Sequence, residues 1–269
     1  MIQAVILARG LGSRMRQADP GAALLPAQDA AAATGAKGMI PVGRPFLDYL
    51  LSALADAGFR EACLVIGPEH QATREYYETP GRVKRIGVSF CVQDKPLGTA
   101  DAVLAAEAAA GHGHFLVCNS DNYYPVPALA ALRALDAEGL AGFDAEALVR
   151  LGNIPAERVQ QFALIRETDD GFLADIVEKP DPATASSFGP HARVSMNAWA
   201  FGASIFEACR RITPSPRGEL EIQDAVRLAI RELGSRFRVV PVAAGVLDLS
   251  TRGDVAEVTR RLASVEVRL

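Results

Sequence analysis

The sequence has few of the features that mark secreted or membrane-spanning proteins. Only four of its 269 residues are cysteine, and Cys63, Cys91, Cys118 and Cys209 lie far apart along the chain. No apolar run is long enough to span a bilayer. The apolar residues that start at Ile2 are not preceded by the basic segment that opens a signal peptide. We therefore expect reduced thiols and a cytoplasmic protein with no membrane partner.

Long stretches of one charge are absent as well, and the formal net charge is −4. Proteins that bind nucleic acid present a basic face, so we expect no nucleic-acid partner. A phosphate site in such a chain must come from a few cations gathered at one place. Because no further histidine or cysteine has zinc-site spacing, His112 and His114 are interpreted as part of a solvated loop, with a metal-binding pair as the alternative.

The N-terminal segment lacks the commonest glycine-loop motifs. Gly10 and Gly12 are not followed by the Gly-Lys-Ser/Thr ending of a Walker loop. The dinucleotide fingerprint fails because Met15 stands at its last position, which argues against an NAD-dependent oxidoreductase. The segment does combine an apolar run at 4–8 with these glycines and Arg14. Glycine lets the backbone approach a ligand and arginine grips phosphate, so a triphosphate site is expected; an ordinary βα turn with surface arginines is the alternative.

Strand and helix patterns alternate through the first half of the chain. Strands are predicted at 3–8, 61–66, 87–93 and 114–118, and helices near 46–57, 70–78, 99–110 and 126–138. This order predicts an α/β fold with a mainly parallel sheet flanked by helices. After residue 142, strand-like runs at 145–151, 162–167, 173–177 and 194–202 predict a small antiparallel or mixed extension. Helices at 204–212 and 219–233, strands at 237–242 and 245–249, and a helix from about 252 complete the prediction.

Residues 17–36 are rich in alanine, glycine and proline and have little helical periodicity. The sequence therefore predicts a long loop there, of the kind that often serves as a lid in compact domains. This loop would deliver Lys37, the cation that follows it, toward the triphosphate.

Candidate functional residues follow several of the predicted strands and turns. They are Lys37, Gln93, Asp121, the pair Glu178-Lys179, and Asp248. Asp121 lies beyond the carboxyl end of a predicted parallel strand, where open α/β sheets bind ligands. Three of them have a plainer alternative: Asp121 as a turn residue, Asp248 as a surface-facing strand residue, and Glu178-Lys179 as an exposed ion pair of little energetic value.

The order of these motifs resembles the sugar-1-phosphate nucleotidyltransferase family, the NDP-sugar pyrophosphorylases that include glucose-1-phosphate uridylyl- and thymidylyltransferases. Eight segments follow the family order: the N-terminal loop, the Lys37 segment, and residues 96–100, 120–122, 178–180, 195–201, 218–224 and 248–251. The resemblance implies one Rossmann-like domain over 1–269, with a nucleotide-binding half at 1–142 and a sugar-phosphate-binding half at 143–269. It implies nucleotidyl transfer from a nucleoside triphosphate to a sugar 1-phosphate, with Mg²⁺ as cofactor and pyrophosphate as the second product.

The resemblance also implies roles for individual residues. Catalysis would fall to Arg14, Lys37 and Asp121, and Mg²⁺ would be held by Asp121 and Asp248. The nucleotide would be bound by Leu7, Ala8, Gly10, Gly12, Ser13, Gln93, Gly98 and Thr99. The sugar phosphate would be bound by Asn122, Glu178, Lys179 and Asn197. General chemistry agrees, because positioning and charge neutralisation dominate such transfers, and Mg²⁺ takes one or two carboxylates beside the phosphates.

Three departures from the family pattern stand out. Arg9 occupies a position where the family usually has glycine, and two interpretations are open: it contacts phosphate, or it restricts the loop. More residues separate Arg16 from Lys37 than in common members, and Ala36 replaces the usual proline. Gln223 replaces the more usual threonine, and we expect no consequence from this change.

Gln93 guides the choice of nucleotide. An amide both donates and accepts hydrogen bonds, which suits the edge of uracil or thymine, so UTP or dTTP is favoured and GTP is the alternative. A non-catalytic sugar-nucleotide sensor is the rival from another class. The sequence leaves open which sugar is used and whether the chain forms a homo-oligomer.

Overall fold

The computed structural model describes residues 1–189 and 192–269. The strands are β1 (Gln3–Leu7), β2 (Glu61–Ile66), β3 (Gly87–Val92), β4 (Phe115–Asn119), β5 (Asn122–Tyr123), β6 (Gly139–Phe143), β7 (Ala163–Glu167), β8 (Leu173–Val177), β9 (Arg193–Phe201), β10 (Arg238–Val242) and β11 (Leu247–Asp248). The helices are α1 (Ser13–Arg16), α2 (Pro26–Thr34), α3 (Phe46–Asp56), α4 (Gln71–Glu78), α5 (Thr99–Ala105), α6 (Glu107–Ala110), α7 (Val126–Arg133), α8 (Ala145–Leu151), α9 (Ala156–Val159), α10 (Pro182–Ser187), α11 (Ser204–Arg211), α12 (Ile222–Glu232) and α13 (Asp254–Leu262). A 3₁₀ turn spans Lys37–Met39.

The central sheet confirms the predicted mixed, mainly parallel α/β fold. Its strand order is β10-β6-β9-β4-β1-β2-β3. The pairs β1–β2, β1–β4, β2–β3 and β6–β10 are parallel. Strand β9 runs antiparallel to both β4 and β6, and the β7–β8 hairpin extends the sheet from β9. This hairpin is the predicted antiparallel extension.

Strand β1 is buried on both faces, as expected of a central parallel strand. Ala4 and Ile6 pack into one apolar cluster with α3 and α7, while Val5 packs into another with α5, α11 and α12. A third cluster joins Met15 of α1 to Leu249 and to α13. In the described residues, no helix has the length and apolar character that crossing a bilayer requires.

Two predicted segments have a different structure. The run 145–151, predicted as a strand, is helix α8, because the Asp144 carboxylate accepts a hydrogen bond from Ala147 N and caps a helix. The predicted loop at 17–36 contains helix α2, which begins at Pro26 after a capping interaction between Leu25 N and Gln28. Its alanines suit a helix despite their weak periodicity.

Smaller differences concern the ends of elements. The helix predicted at 126–138 ends at Arg133, since the chain turns into β6 at Gly139. The run 245–249 forms only the two-residue strand β11, which pairs with β5 rather than with the central sheet. The proposed boundary at residue 142 falls inside β6.

Candidate functional site

A cleft of about 400 Å³ opens at the carboxyl ends of β1, β3 and β4. Ligands in open α/β sheets bind at this edge. From the N-terminal loop, the cleft is lined by Leu7, Ala8, Gly10, Gly12, Ser13 and Arg14. From the rest of the chain, the predicted site residues that line it are Lys37, Gln93, Gly98, Thr99, Asp121 and Lys179. Among the described residues, Asn122, Glu178, Asn197 and Asp248 are not part of this lining.

The shape of the N-terminal loop depends on a close approach between two glycines. Gly12 has φ 61°, and a Cβ there would lie 2.5 Å from the Gly35 carbonyl oxygen. Gly35 ends α2 with φ 79°, and the Arg16 side chain donates to Thr34 O at 2.6 Å. At Gly10, by contrast, a Cβ would meet no described atom within 4 Å. The loop is therefore anchored on α2 at Gly12 and open toward the cleft at Gly10.

Arg9 lines the cleft, and its side chain is held there by an ion pair. Its guanidinium makes two hydrogen bonds to the Glu69 carboxylate, each 3.2 Å long. This is the paired geometry in which arginine binds carboxylate most specifically. The Arg9 hydrogen bonds also lower the pKa of Glu69. Of the two interpretations of Arg9, the contacts favour the one in which it holds the loop against the end of β2.

A cation and a carboxylate meet inside the cleft. Lys37 Nζ lies 2.7 Å from Asp121 Oδ2, and their side chains are 15% and 20% exposed. The 3₁₀ turn that carries Lys37 is fixed by the hydrogen bond from Phe46 N to Ile40 O and by close packing of Gly38 on Leu47. The predicted mobile loop thus ends in a well-anchored cation beside the carboxyl end of β4.

Asp248 occupies a different environment from Asp121. It lies opposite Asn122 in the β5–β11 pair and is only 3% exposed. Its Oδ1 accepts from Asn122 Nδ2 at 2.9 Å, and its Oδ2 forms an ion pair with Arg158. Asn153 holds the Asp248 backbone with two hydrogen bonds, of 2.7 and 2.8 Å. Asp248 is thus neither a surface-facing strand residue nor a residue that lines the cleft.

The orientation of the Gln93 amide is fixed by two acceptors. Its Nε2 donates to Gly98 O at 3.1 Å and to Asp101 Oδ2 at 2.7 Å, in a side chain that is 3% exposed. Both amide hydrogens are therefore used within the protein, and Oε1 is the group left for a ligand. With Nε2 bonded to Gly98 O and Asp101 Oδ2, Gln93 is expected to face a base as an acceptor rather than as both donor and acceptor.

The turn after Gln93 is bound to a distant segment. Gly98 has φ 133°, and a Cβ there would clash with the Leu220 backbone. Leu220 N donates to Leu97 O at 2.8 Å, and Thr99 Oγ1 accepts from Ile222 N at 2.9 Å. Through these contacts, segments 96–100 and 218–224 support each other beside the cleft.

Gln223 joins two of the residues predicted to bind sugar phosphate. Its Nε2 donates to Glu178 Oε2 at 3.1 Å and to Asn197 Oδ1 at 3.0 Å. Burial raises the pKa of Glu178 to about 7. Lys179 and Asn197 both have positive φ, at 45° and 54°, which is uncommon outside glycine and is often found at functional sites. Gln223 is not among the predicted site residues, although a long amide side chain in this segment is the signal that could have indicated its role.

Taken together, the sheet and cleft define an open α/β architecture with its candidate site at the carboxyl edge of the parallel strands. The family model described as Nucleotidyl transferase matches residues 31–260. The chain therefore belongs to the nucleotidyl transferase family, and the resemblance inferred from the motifs is confirmed. The match begins inside α2, after the N-terminal loop.

Several named proteins are similar to the chain. The low-salt glycan biosynthesis nucleotidyltransferase Agl11 of Haloferax volcanii is 27% identical over 86% of the chain and 58% of its own length. A glucose-1-phosphate thymidylyltransferase of Streptomyces griseus is 29% identical over 96% of the chain and 65% of its own length. The chain thus spans about three-fifths of these two relatives. The UTP–glucose-1-phosphate uridylyltransferase AglF of Haloferax volcanii is 27% identical, over 97% of the chain and 96% of its own length.

Solved structures support the fold assignment. A UDP-glucose pyrophosphorylase complexed with UDP-glucose superposes with a TM-score of 0.76 and 20% identity, over 99% of this chain and 100% of that one. An apo UDP-glucose pyrophosphorylase superposes with a TM-score of 0.75 and 19% identity, over 98% of each chain. At this level of identity the likeness establishes a shared fold.

Proposed function

We propose that the protein transfers a nucleotidyl group from UTP or dTTP to a sugar 1-phosphate and releases pyrophosphate. The observation that carries the proposal is the Lys37–Asp121 pair, 2.7 Å apart in a cleft that the glycine loop also lines. A fixed cation and an acidic side chain beside a phosphate-type loop suit a reaction whose catalysis is mainly positioning and charge neutralisation. The relatives named as uridylyl- and thymidylyltransferases support the same reaction.

The proposed reaction is a single displacement at the α-phosphorus. An oxygen of the sugar phosphate forms the new P–O bond as the bond to the β-phosphate oxygen breaks, and pyrophosphate leaves. The attacking oxygen is already an anion, so no general base is needed. Lys37 would neutralise charge on the reacting phosphates, while Arg14 and the backbone of Gly10 and Gly12 would hold the triphosphate.

Magnesium fits the cleft through Asp121. Its carboxylate lies at the cleft wall, and hard oxygen ligands of this kind, together with phosphates, satisfy Mg²⁺. When bound, Mg²⁺ would offset the charge of the triphosphate. Asp248 does not fit in the same way, because each of its carboxylate oxygens already has a protein partner. In the described residues, no group of three or more histidine, cysteine or acidic side chains could share a metal ion.

The preference for a pyrimidine rests on Gln93 and on the relatives together. Gln93 Oε1 would accept the N3–H of uracil or thymine. The same acceptor would also suit the N1–H of guanine, so Gln93 alone does not separate a uridylyl- or thymidylyltransferase from a guanylyltransferase. Two of the similar proteins above are named for a pyrimidine nucleotide, one as a thymidylyltransferase and one as a uridylyltransferase, and they favour UTP or dTTP.

The sugar phosphate is proposed to lie near Lys179, Glu178 and Asn197. Lys179 lines the cleft, and Gln223 holds Glu178 and Asn197 together behind it. Asn122 is buried and bonded to Asp248, so we propose that it acts by fixing the Asp121 segment rather than by touching the sugar.

The test is pyrophosphate release from every pairing of UTP, dTTP, GTP and ATP with several sugar 1-phosphates. We expect turnover with a pyrimidine nucleotide and loss of turnover in Asp121→Asn, which keeps the side chain's shape and removes its charge. Highest turnover with GTP would identify a guanylyltransferase. Tight binding of an NDP-sugar without turnover would identify a sensor.

The four unbridged cysteines of the described chain support a reducing compartment such as the cytoplasm.

A further inference from the structure

Arg158 on α9 connects two carboxylates that are not among the residues lining the cleft. Its Nη1 donates to Asp254 Oδ1 at 2.8 Å, and its Nη2 pairs with Asp248 Oδ2. All three side chains are nearly buried, with Arg158 12% exposed. A buried arginine in a two-carboxylate fork is strongly fixed, because moving it would leave uncompensated charges.

Asp254 shows that this group also supports local backbone structure. Its Oδ2 accepts from Ser250 N at 3.0 Å and from Thr251 N at 2.7 Å. The chain that follows Asp248 is therefore held in place by Asp254, and Asp254 is held by Arg158. Asn153, five residues before Arg158, secures the Asp248 backbone through its side-chain amide. One short segment thus fixes Asp248 from two directions.

The two proposed metal-binding carboxylates therefore differ in what holds them. Asp121 is one-fifth exposed, lines the cleft and pairs with Lys37. The backbone of Lys37 is anchored, but its flexible side chain lets the ammonium group turn from Asp121 toward a bound phosphate. Asp248 is almost fully buried and contacts a rigid guanidinium. A carboxylate oxygen in contact with a guanidinium still has a free lone pair, but the adjacent positive charge repels a divalent cation.

We propose that Arg158 is a positioning residue that withholds Asp248 from the metal, so that Asp121 alone binds Mg²⁺ in this protein. The negative charge of Asp248 is balanced by the guanidinium of Arg158, so Asp248 does not need a metal ion to balance it. The choice of Mg²⁺ as the metal rests on the proposed function. The assignment of Asp248 to Arg158 rests on the contacts just described.

The test is Mn²⁺ binding, measured by the water-proton relaxation enhancement of the full chain, with and without UTP. We expect Asp121→Asn to weaken Mn²⁺ binding at least tenfold and Asp248→Asn to weaken it threefold or less. Arg158→Met should tighten binding more than threefold by releasing Asp248, and the double variant Arg158→Met/Asp248→Asn should lose that gain. Arg133→Met is the matched control, since it removes a partly buried arginine that donates to Ala57 O, and its Mn²⁺ binding should equal that of the parent.

Weakening by more than threefold in Asp248→Asn would overturn the proposal. So would a folded Arg158→Met protein whose Mn²⁺ affinity does not rise. If Arg158→Met does not fold, the Asp248→Asn comparison decides alone, because it leaves Arg158 paired with Asp254. Mn²⁺ binding is measured without turnover, so a failure of the nucleotidyl transfer assay is distinguishable from a failure of this proposal.

Discussion

Replacing Gly12 with alanine tests whether the glycine loop is anchored as described. Gly12 has φ 61°, a left-handed conformation that costs a residue with a Cβ about 1–2 kcal/mol. The new Cβ would also lie 2.5 Å from Gly35 O and 2.6 Å from Gly35 Cα. Overpacking of this kind typically costs about 1–3 kcal/mol. Because the opposing atoms are backbone, they cannot turn away as a flexible side chain would.

The two costs together predict a loss of about 2–5 kcal/mol in the free energy of unfolding. For a chain of this size, each 1 kcal/mol lowers Tm by about 2–4 °C, so we expect a fall of at least about 4 °C. The measurement is a thermal melt followed by circular dichroism. Urea titration gives the free energy independently, provided that the slope with denaturant is unchanged.

Gly10→Ala is the matched control. A Cβ at Gly10 meets no described atom within 4 Å, so stability should change by less than about 0.5 kcal/mol. Because Gly10 lines the cleft, the added methyl group should raise the KM for the nucleotide. A Gly12→Ala protein as stable as the parent would refute the close Gly12–Gly35 contact. A large loss of stability in Gly10→Ala would show that the loop is packed differently.

Three further predictions concern single side chains. Burial raises the pKa of Glu178 to about 7 from the usual 4.5, so the folded state binds this proton more tightly than the unfolded state. Stability from this group is present below about pH 4.5 and is lost as pH rises toward 7; Tm measured against pH should lose that slope in Glu178→Gln, and an unchanged slope would contradict the assignment. Lys37→Ala should lower kcat by about 10²–10³ with a smaller effect on sugar-phosphate KM, because its charge acts mainly on the transition state; a loss below about threefold would show that another residue has this role. A hydrogen bond with Cys63 lowers the pKa of Cys91 to about 7, so Cys91 should react first with iodoacetamide near neutral pH, as read by peptide mass spectrometry; earlier labelling of the fully buried Cys118 would contradict this.

The sheet could be predicted well where its strands are continuous apolar runs. Strands β1 to β4 agree with the predicted bounds to within one residue at each end. For β1, β2 and β4 the reason is that a mostly buried strand forms a continuous apolar run in the sequence. Strand β3 lies at the edge of the sheet and has no buried residue. Helix α8 was missed because its run Ala-Glu-Ala-Leu-Val-Arg-Leu is short and apolar enough to suit a strand, and only the Asp144 cap distinguishes it. Short apolar runs are ambiguous in this respect.

The cleft could be predicted mainly where its residues form contiguous motifs. The loop of Gly10 and Gly12, for example, is visible within a few residues of sequence. The residues that were missed act across long separations: Gln223 on Asn197, and Arg158 on Asp248, which is 90 residues away. Such pairs leave no local pattern, because each partner alone is an ordinary polar residue on a helix or strand.

The third apolar cluster has a consequence for the order in which the protein is made. Met15 packs with Leu249 and with α13, and Arg252 Nε donates to Met15 O at 3.0 Å. Helix α1, which follows the glycine loop of the cleft, is thus packed by residues that leave the ribosome more than 230 positions later. The central sheet also depends on a later segment, because β9 lies between β4 and β6 and follows both of them in the chain. A nascent chain should therefore bind no nucleotide until α13 has been synthesised, and arrested chains that lack residues 247–262 should fail to retain labelled UTP.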